Sequence, residues 1–373
     1  MKTLPTLAAA LMIVTHLPAQ PALKDAFKAD FLIGAALNPG QFTKANPLKA
    51  DLVKQQFNST TPENCLKWES VHPASDRYDF TLADQYVAFG ETNHMFIIGH
   101  TLVWHNQTPD WVFQDAQGQP LTRDALLARM HDHIFTVVGR YRGRIKGWDV
   151  VNEAVNEDGT MRESKWRKII GPDFILKAYL FAHEADPDAE LYYNEYSLEN
   201  PDKRAGAVRL IKELQAQGVK ITAIGLQGHY SLEWPPVSQV SDTIAAFAQL
   251  GIKINITELD VNVLPAADHN QTADVSLQYQ AAARLNPYTN GLPDSVQQAL
   301  TARYAALFTT FMQHRQDLER VTFWGVTDGD SWLNDWPIHG RTNYPLLFDR
   351  AGQPKPAFAA VLATAQTRPG AGN

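Results

Sequence analysis

Short apolar runs alternate with longer amphipathic stretches along this chain. Each stretch carries apolar residues at intervals of three or four positions, which is typical of a helix packed on one face, whereas the short runs are typical of buried strands. Eight such runs occur, at residues 31–36, 57–61, 95–103, 145–151, 190–193, 221–226, 252–257 and 321–326.

Two of the amphipathic stretches also carry helix boundary signals. Thr122 is a suitable N-cap for one helix, whose apolar stripe consists of Leu127, Met130, Ile134, Val138 and Tyr141. Asn200-Pro201 begins a second helix and Gly218 ends it, with a stripe formed by Ala207, Leu210, Ile211 and Leu214. These signals support helices between the strands.

Strict alternation of strand and helix, eight times over, predicts an α/β fold in which a parallel sheet closes into a single (β/α)8 TIM barrel. The 373 residues leave room for elaborated loops after the strands. A doubly wound open sheet is the alternative that the same alternation allows.

No linker divides the chain, so we predict one catalytic barrel over residues 21–366 and a loose C-terminal tail over residues 367–373. Residues 286–293, rich in Asn, Pro and Gly, predict a turn between two helices in the seventh strand-to-helix connection.

The first 20 residues have the features of a secretory signal peptide. Lys2 is followed by a short apolar segment, and Leu17-Pro18-Ala19-Gln20 is a suitable cleavage region. We therefore expect a secreted or periplasmic protein; a buried N-terminal helix is the alternative. Cys65 is the only cysteine, so no intrachain disulfide can form.

Composition narrows the classes of function. The net charge of −7 gives no general nucleic-acid footprint, and no later segment has about 20 uninterrupted apolar residues, so no membrane span is expected. With 9 Trp and 12 Tyr, the chain suits a neutral substrate better than a polyanion.

Polar and aromatic residues follow almost every predicted strand. The carboxyl ends of barrel strands converge on one face, where barrel enzymes carry their active sites. The residues concerned include Glu63, Asn64, Lys67 and Trp68 after the second run, His100, Trp104 and His105 around the end of the third, Asn152 and Glu153 after the fourth, Asn194 and Glu195 after the fifth, Gln227 and His229 after the sixth, Glu258 and Asp260 after the seventh, and Asp328, Asp330 and Trp332 after the eighth.

Glu153 and Glu258 are the preferred pair of catalytic carboxylates. The apolar approach to Glu153 predicts a raised pKa, as a general acid requires, while the polar neighbours of Glu258 predict an ionised carboxylate. Asn156-Glu157 precedes a turn and is expected to be solvated, whereas Glu195 also ends a strand and is a rival.

Other kinds of site remain open. His131 and His133 offer a metal site without a third ligand, and Asp328-Gly329-Asp330 forms either a turn or a calcium site. The sequence has no Gly-rich phosphate loop and no Gly-x-Ser-x-Gly motif, which argues against nucleotide chemistry and serine hydrolysis. We expect no metal and no cofactor.

Taken together, the motifs resemble glycoside hydrolase family 10, the endo-β-1,4-xylanases. The resemblance extends from about residue 31 to about residue 357. Its most specific pieces are His100-Thr101-Leu102-Val103-Trp104-His105, Trp148-Asp149-Val150-Val151-Asn152-Glu153 and Ile256-Thr257-Glu258-Leu259-Asp260.

The resemblance implies a retaining endo-1,4-β-xylanase that acts on xylan and xylo-oligosaccharides, and we expect a monomer. Glu153 would be the acid/base and Glu258 the nucleophile, with carboxyl groups about 5–5.5 Å apart. Asn152 would bind the 2-hydroxyl of the sugar, and His229, supported by Asp260, would hold Glu258.

The resemblance also implies a set of substrate-binding residues. Gln227 would bind near the acid/base or the sugar, Trp324 and Trp332 would wall the cleavage subsite, and Tyr193 would line the leaving-group side. The non-reducing side of the cleft would be lined by Glu63, Asn64, Lys67, His100 and Trp104. Trp104, Trp324 and Trp332 as plain core residues are the alternative.

The chain departs from the family pattern at two places. Glu195 stands where many members are expected to have aspartate, which leaves its role open. The segment 286–293 lengthens one connection, either adding leaving-group contacts or packing against outer helices. A glucanase or mannanase on a related barrel and a non-catalytic glycan-binding protein are the rival functions.

Overall fold

The computed structural model describes residues 21–43, 45–265, 279–280 and 283–367. Eight parallel strands form the centre of the molecule, and each corresponds to one of the predicted runs. They are Leu32–Leu37, Ser59–Pro62, Phe96–Val103, Gly147–Asn152, Glu190–Glu195, Ala223–Leu226, Lys253–Asn262 and Leu318–Phe323.

The sheet closes on itself, so the structure is a barrel and the open-sheet alternative is wrong. The first strand pairs in parallel with the second and also with the eighth, where Leu32 lies opposite Arg320 and Ala35 opposite Phe323. The eighth strand in turn pairs with the seventh. Closure brings the carboxyl ends of all eight strands to one face.

A helix follows each barrel strand and packs on the outside of the sheet. These eight helices are Pro47–Gln56, Thr81–Thr92, Arg123–Arg140, Phe174–Ala185, Pro201–Ala216, Val237–Ala248, Asp294–Gln313 and Pro356–Gln366. One short α-helix, Leu23–Ala26, precedes the first strand. Others lie in the connections, at Pro39–Phe42, Trp68–Val71 and Lys165–Ile170, with 3₁₀ turns at Asp110–Val112, Ala283–Leu285, Asp328–Asp330 and Trp332–Asn334. No helix within the described ranges has the length and apolar character of a membrane span.

The helix boundaries follow the signals in the sequence. The Thr122 hydroxyl accepts from the Ala125 N–H, and the Asn200 side-chain amide oxygen accepts from the Asp202 N–H, so both predicted N-caps are confirmed. The apolar stripes of these helices lie in the continuous core between helices and strands.

The seventh strand is longer than predicted. The apolar run ends at Thr257, but the strand continues to Asn262, and its extension pairs with a short strand, His229–Ser231. Glu258 and Asp260 therefore lie inside a strand, whereas the sequence placed them after its end. Pairing with His229–Ser231 is the physical reason, since it satisfies backbone groups that would otherwise face solvent.

The segment 286–293 contacts the loop after the eighth strand. The Asn286 amide oxygen accepts from the Thr342 N–H at 2.8 Å, and the Tyr344 hydroxyl donates to the Tyr288 carbonyl at 2.7 Å. The turn prediction is confirmed, and the described residues directly before the segment, Ala283–Leu285, form a 3₁₀ turn. The predicted leader and residues 368–373 of the predicted tail lie outside the described residues.

Candidate active site

A cleft of about 640 Å³ opens at the carboxyl ends of the barrel strands and receives both predicted carboxylates. Glu153 follows the fourth strand directly, and Glu258 lies in the seventh. Their side chains are almost completely buried, with 3% and 5% of the residue exposed, so each faces the cleft only through a small part of its surface.

Three donors surround the Glu153 carboxyl group. The Trp104 indole N–H donates to Oε2 at 2.9 Å, while the Gln227 and Asn152 amides donate to Oε1 at 3.0 and 3.2 Å. Burial, followed by the negative charge of Glu195, raises the pKa of Glu153 to about 7, although the bonds from Gln227 and Trp104 oppose that rise. Near neutral pH this group holds a proton that it can release.

Glu258 has the opposite electrostatic environment. Its Oε1 accepts from the Asn194 amide at 2.7 Å, and its Oε2 lies 3.1 Å from His229 Nε2. Burial alone would raise the pKa of Glu258, but the hydrogen bond and positive charge of His229 lower it below the ordinary value. Glu258 is therefore ionised under conditions in which Glu153 keeps its proton.

His229 is held in its charged form by Asp260. The two side chains lie 3.1 Å apart, and Asp260 also accepts from the Trp332 indole N–H at 2.8 Å. Burial would lower the pKa of His229, but the charge of Asp260 and the bonds to Asp260 and Glu258 raise it to about 10. An imidazolium fixed at both nitrogens orients the carboxylate of Glu258.

Asn194 joins the two halves of the site and was missed as a functional residue in the sequence. Its amide N–H groups donate to Glu258 Oε1 at 2.7 Å and to Asn152 Oδ1 at 2.9 Å. Thr257 fixes the Asn194 amide by donating to its oxygen at 2.6 Å. The signal was present, because Asn194 precedes a glutamate at a strand end just as Asn152 does.

The predicted non-reducing side of the cleft is rich in hydrogen-bonding groups. The Lys67 ammonium donates to Asn64 at 2.9 Å and to Gln107 at 2.7 Å, and it lies 5.0 Å from the ring centre of Trp104. Burial lowers the pKa of Lys67 and raises that of the neighbouring Glu63. Such a surface suits a ligand with many hydroxyl groups.

Aromatic rings form another wall. Trp324 packs edge-on against His100 at 5.4 Å, and Trp332 lies 4.8 Å from the His229 ring. His100 in turn bonds Asp149 at 2.9 Å. The cleft lining includes the predicted residues Glu63, Asn64, Lys67, His100, Trp104, Asn152, Gln227, His229, Trp324 and Trp332, so the reading of the three tryptophans as plain core is wrong.

Tyr193 does not line the cleft, and this part of the prediction is wrong. Its ring is completely buried, its hydroxyl donates to Glu195 at 2.7 Å, and the same oxygen accepts from the Ala154 N–H at 3.0 Å. Side chains alternate between the two faces of a strand, so Asn194 points toward the site and Tyr193 points away from it.

The cleft also has lining residues that the sequence did not single out. They are Glu69, Asn106, Gln107, Asp335 and Trp336. Trp336 stacks on Trp332 with ring centres 4.6 Å apart. Asn106 and Gln107 follow a strand end that the sequence did mark, whereas Asp335 and Trp336 come from a loop without periodic signal.

The side chains of the two alternative metal sites contact other residues of the protein. His133 is buried, lies 3.2 Å from His72 and stacks on Trp68, while Asp328 and Asp330 pair with Lys355 and Lys49. Among the residues that the structure covers, no cluster of three or more His, Cys, Asp or Glu side chains could hold a metal ion.

One protonated and one ionised carboxyl group in a single sugar-sized cleft can cleave an acetal. The protonated group can supply a proton to the oxygen of the leaving group. The ionised group can attack the carbon from which that oxygen departs, or stabilise the positive charge on it. The amides between them can bind a hydroxyl group of the substrate.

Comparison with known proteins agrees with this chemistry. The family model described as Glycosyl hydrolase family 10 matches residues 22–364. Endo-1,4-beta-xylanase A of Xylanibacter ruminicola is 46% identical over 343 residues, covering 92% of this chain and 93% of that protein. The endo-1,4-beta-xylanase of Geobacillus stearothermophilus is 42% identical and is covered to 98% of its length, with the same 92% of this chain.

The fold comparison gives the same result. The structure of a GH10 endoxylanase from a sugarcane soil metagenome superposes with a TM-score of 0.89 and 46% sequence identity. The match covers 92% of this chain and 99% of that one.

Proposed function

The chain belongs to glycosyl hydrolase family 10, and we propose that Glu153 is the acid/base and Glu258 the nucleophile of its reaction. The function is that of a retaining endo-1,4-β-xylanase, which hydrolyses internal β-1,4-xylosidic linkages of xylan. The observation that supports the residue assignment is that one cleft holds two buried carboxyl groups, one with neutral donors and one with a charged donor.

In the first step, a Glu258 oxygen attacks the anomeric carbon while the Glu153 proton passes to the glycosidic oxygen. The C1–O bond breaks, the leaving sugar departs with that proton, and a covalent glycosyl ester forms on Glu258. The pKa of Glu153, raised to about 7, keeps its proton available for this transfer.

In the second step, Glu153 acts as a base. It takes a proton from water, the resulting hydroxide oxygen bonds to the anomeric carbon, and the ester bond to Glu258 breaks. Two inversions leave the anomeric configuration unchanged, and both residues return to their starting states.

Asn152 and Gln227 are proposed to bind the sugar at the cleavage point. The Asn152 oxygen already accepts from Asn194, and the Asn152 amide donates to Glu153, so its orientation is fixed before a substrate arrives. An amide held in this orientation can hydrogen-bond the 2-hydroxyl of the sugar without reorganising. That hydrogen bond strengthens as positive charge develops on the sugar ring.

Product analysis and one variant test this mechanism. NMR during hydrolysis of unbranched xylan should show the β-anomer first, and Glu153→Ala should lose most activity on xylan while keeping the first step on aryl xylobiosides. Good leaving groups need little protonation, which is the reason for that difference. An α-anomer as first product, or equal losses on both substrates, contradicts the assignment.

We further propose that the protein is exported and acts as a monomer. Residues 1–20 support export through their signal-peptide features. Among the described residues, three large hydrophobic side chains are exposed, Leu48, Leu82 and Leu180. They lie on three different helices rather than in one segment, which supports a monomer. N-terminal sequencing of exported protein and light scattering test the two proposals.

A further inference from the structure

A buried polar cluster lies directly behind the acid/base, on the side away from the cleft. Its centre is the fully buried carboxylate of Glu195, the rival glutamate of the fifth strand. The ammonium of Lys203, itself completely buried, lies 3.1 Å from Glu195 Oε1. A buried ion pair is costly to build, so its position behind Glu153 calls for an explanation.

Glu195 contacts the turn that carries Glu153. Its Oε2 accepts from the Val155 N–H at 3.0 Å and from the Tyr193 hydroxyl at 2.7 Å. The same Tyr193 oxygen accepts from the Ala154 N–H at 3.0 Å. Two consecutive backbone groups after Glu153 are thus held by one carboxylate and its tyrosine partner.

That turn has an unusual conformation. Glu153 has a φ of +59°, in the left-handed region that residues with a Cβ rarely adopt. The Glu153 N–H donates to the Asn194 carbonyl at 2.9 Å, and the Glu153 carbonyl accepts from Arg162 at 2.9 Å. The contacts from Glu195 and Tyr193 complete the set that holds this backbone.

We propose that Glu195 is a positioning residue for the acid/base, holding the backbone turn of Glu153 and placing a buried negative charge behind it. The inference rests on the proposed function, because it assumes that Glu153 donates the proton.

The charges around the two glutamates allow a sign to be derived. The groups that act on or are acted on by Glu153 are Glu195, Glu258, Lys67, Arg162 and Tyr196. Those facing Glu195 are Glu153, Arg162, Tyr193, Tyr196 and Lys203. After burial itself, Glu195 makes the largest contribution that raises the pKa of Glu153.

The decisive variant is Glu195→Gln, which keeps the shape of the side chain and removes its charge. Without that charge, the ionised form of Glu153 becomes more favourable. We expect the alkaline limb of kcat/KM on unbranched xylan to move about one pH unit lower. We expect kcat on xylan to fall about 10-fold, with little loss in the first step on a dinitrophenyl xylobioside.

Two variants serve as controls. Glu157→Gln removes the other carboxylate that bonds Lys203, at 3.0 Å. Glu157 is half-exposed and belongs to neither set of groups around Glu153 and Glu195. The pH profile of this variant should therefore match that of the parent. Glu195→Asp keeps the charge and should restore the alkaline limb. If the alkaline limb of Glu195→Asp were displaced as far as that of Glu195→Gln, the electrostatic role of Glu195 would be overturned.

Tyr193→Phe tests the backbone contact even if Glu195→Gln fails to fold. It removes one hydroxyl, leaves the Ala154 N–H without its acceptor, and should lower kcat on xylan about 10-fold at unchanged KM. The inference would be overturned if Tyr193→Phe had the kcat of the parent. It would also be overturned if Glu195→Gln had both the kcat of the parent and an alkaline limb at the parent's pH. Equal losses on both substrates in Glu195→Gln without a moved limb would show a merely structural role and overturn it too.

These results can be separated from a failure of the proposed function. If Glu153→Ala loses xylan activity selectively while Glu195→Gln behaves like the parent, only the inference is wrong. If Glu153→Ala loses activity on both substrates equally, the acid/base assignment itself is wrong.

Discussion

At the scale of single residues, the two carboxyl groups differ because of their donors and charges. Both are buried, so burial alone would raise both pKa values. Glu258 receives a charged donor, His229, whereas Glu153 receives neutral donors and has the negative Glu195 behind it. The difference between a proton donor and a nucleophile therefore depends on the charges and donors around each carboxyl group.

Replacing the proposed nucleophile tests its role directly. Glu258→Gln should reduce turnover of xylan by about 10⁴-fold or more, because a neutral amide cannot form the glycosyl ester. Binding of xylotetraose, measured by calorimetry, should persist because the rest of the cleft is intact.

A matched control is Glu163→Gln, whose carboxylate is mostly exposed and pairs with Arg167 in the next turn. Its turnover should equal that of the parent. Substantial turnover in a correctly folded Glu258→Gln protein would exclude Glu258 as the nucleophile.

The pH dependence follows from the raised pKa of Glu153. The reaction needs this group protonated, so kcat/KM on xylan should fall as pH rises through about 7. The first step on an aryl xylobioside with a good leaving group should lack this limb. Steady-state rates between pH 4 and pH 10, that is, over about six pH units, would reveal both behaviours. An alkaline limb of equal position on both substrates would not fit the assignment.

At the scale of elements, close packing between neighbouring strands restricts the sequence. Gly99, in the third strand, lies against the indole ring of Trp148 in the fourth, and a Cβ added at Gly99 would overlap that ring. Trp148 is completely buried and cannot move into solvent. The strand that ends in Asn152 and Glu153 is thus fixed partly by a missing side chain.

Gly99→Ala should therefore destabilise the protein by about 1–3 kcal/mol or more through overpacking. Gly139→Ala is the matched control, since Gly139 lies in a helix and an added Cβ would have no neighbour within 4 Å. The control should be neutral or stabilising by about 0.5–1 kcal/mol. Urea unfolding of both variants measures the difference, and equal stabilities would argue against this packing constraint.

Element boundaries were less predictable than the elements themselves. All eight strands follow from apolar runs, but the extension of the seventh strand to Asn262 depends on pairing with His229–Ser231. The position of the segment 286–293 likewise depends on its contacts with Thr342 and Tyr344. Neither partner is close in sequence, so no local pattern contains this information.

At the scale of the whole molecule, the active site lowers the stability of the fold. A carboxyl group with a pKa of about 7 in the folded state and about 4.5 in the unfolded state costs nothing at low pH, where both states are protonated. As pH rises from about 4.5 to about 7, the unfolded state ionises first, so the parent loses stability.

Glu153→Gln should remove this penalty. Its free energy of unfolding should exceed that of the parent by about 3 kcal/mol near pH 8, and the gain should disappear below about pH 4.5. Thermal or denaturant unfolding at several pH values provides the measurement. A gain that does not depend on pH would mean that the carboxyl is not the source of the cost.

The sequence by itself determined the order of the elements, and it predicted a parallel barrel with polar residues gathered on one face. These features follow from hydrophobic periodicity and from the convergence of strand ends, both of which are local properties or direct consequences of topology. Only the tertiary structure decided that the sheet closes, that Tyr193 is buried, that Asn194 joins the two halves of the site and that Glu195 lies behind Glu153. Burial, hydrogen bonding and pKa depend on neighbours from other strands, and those neighbours meet only when the barrel closes.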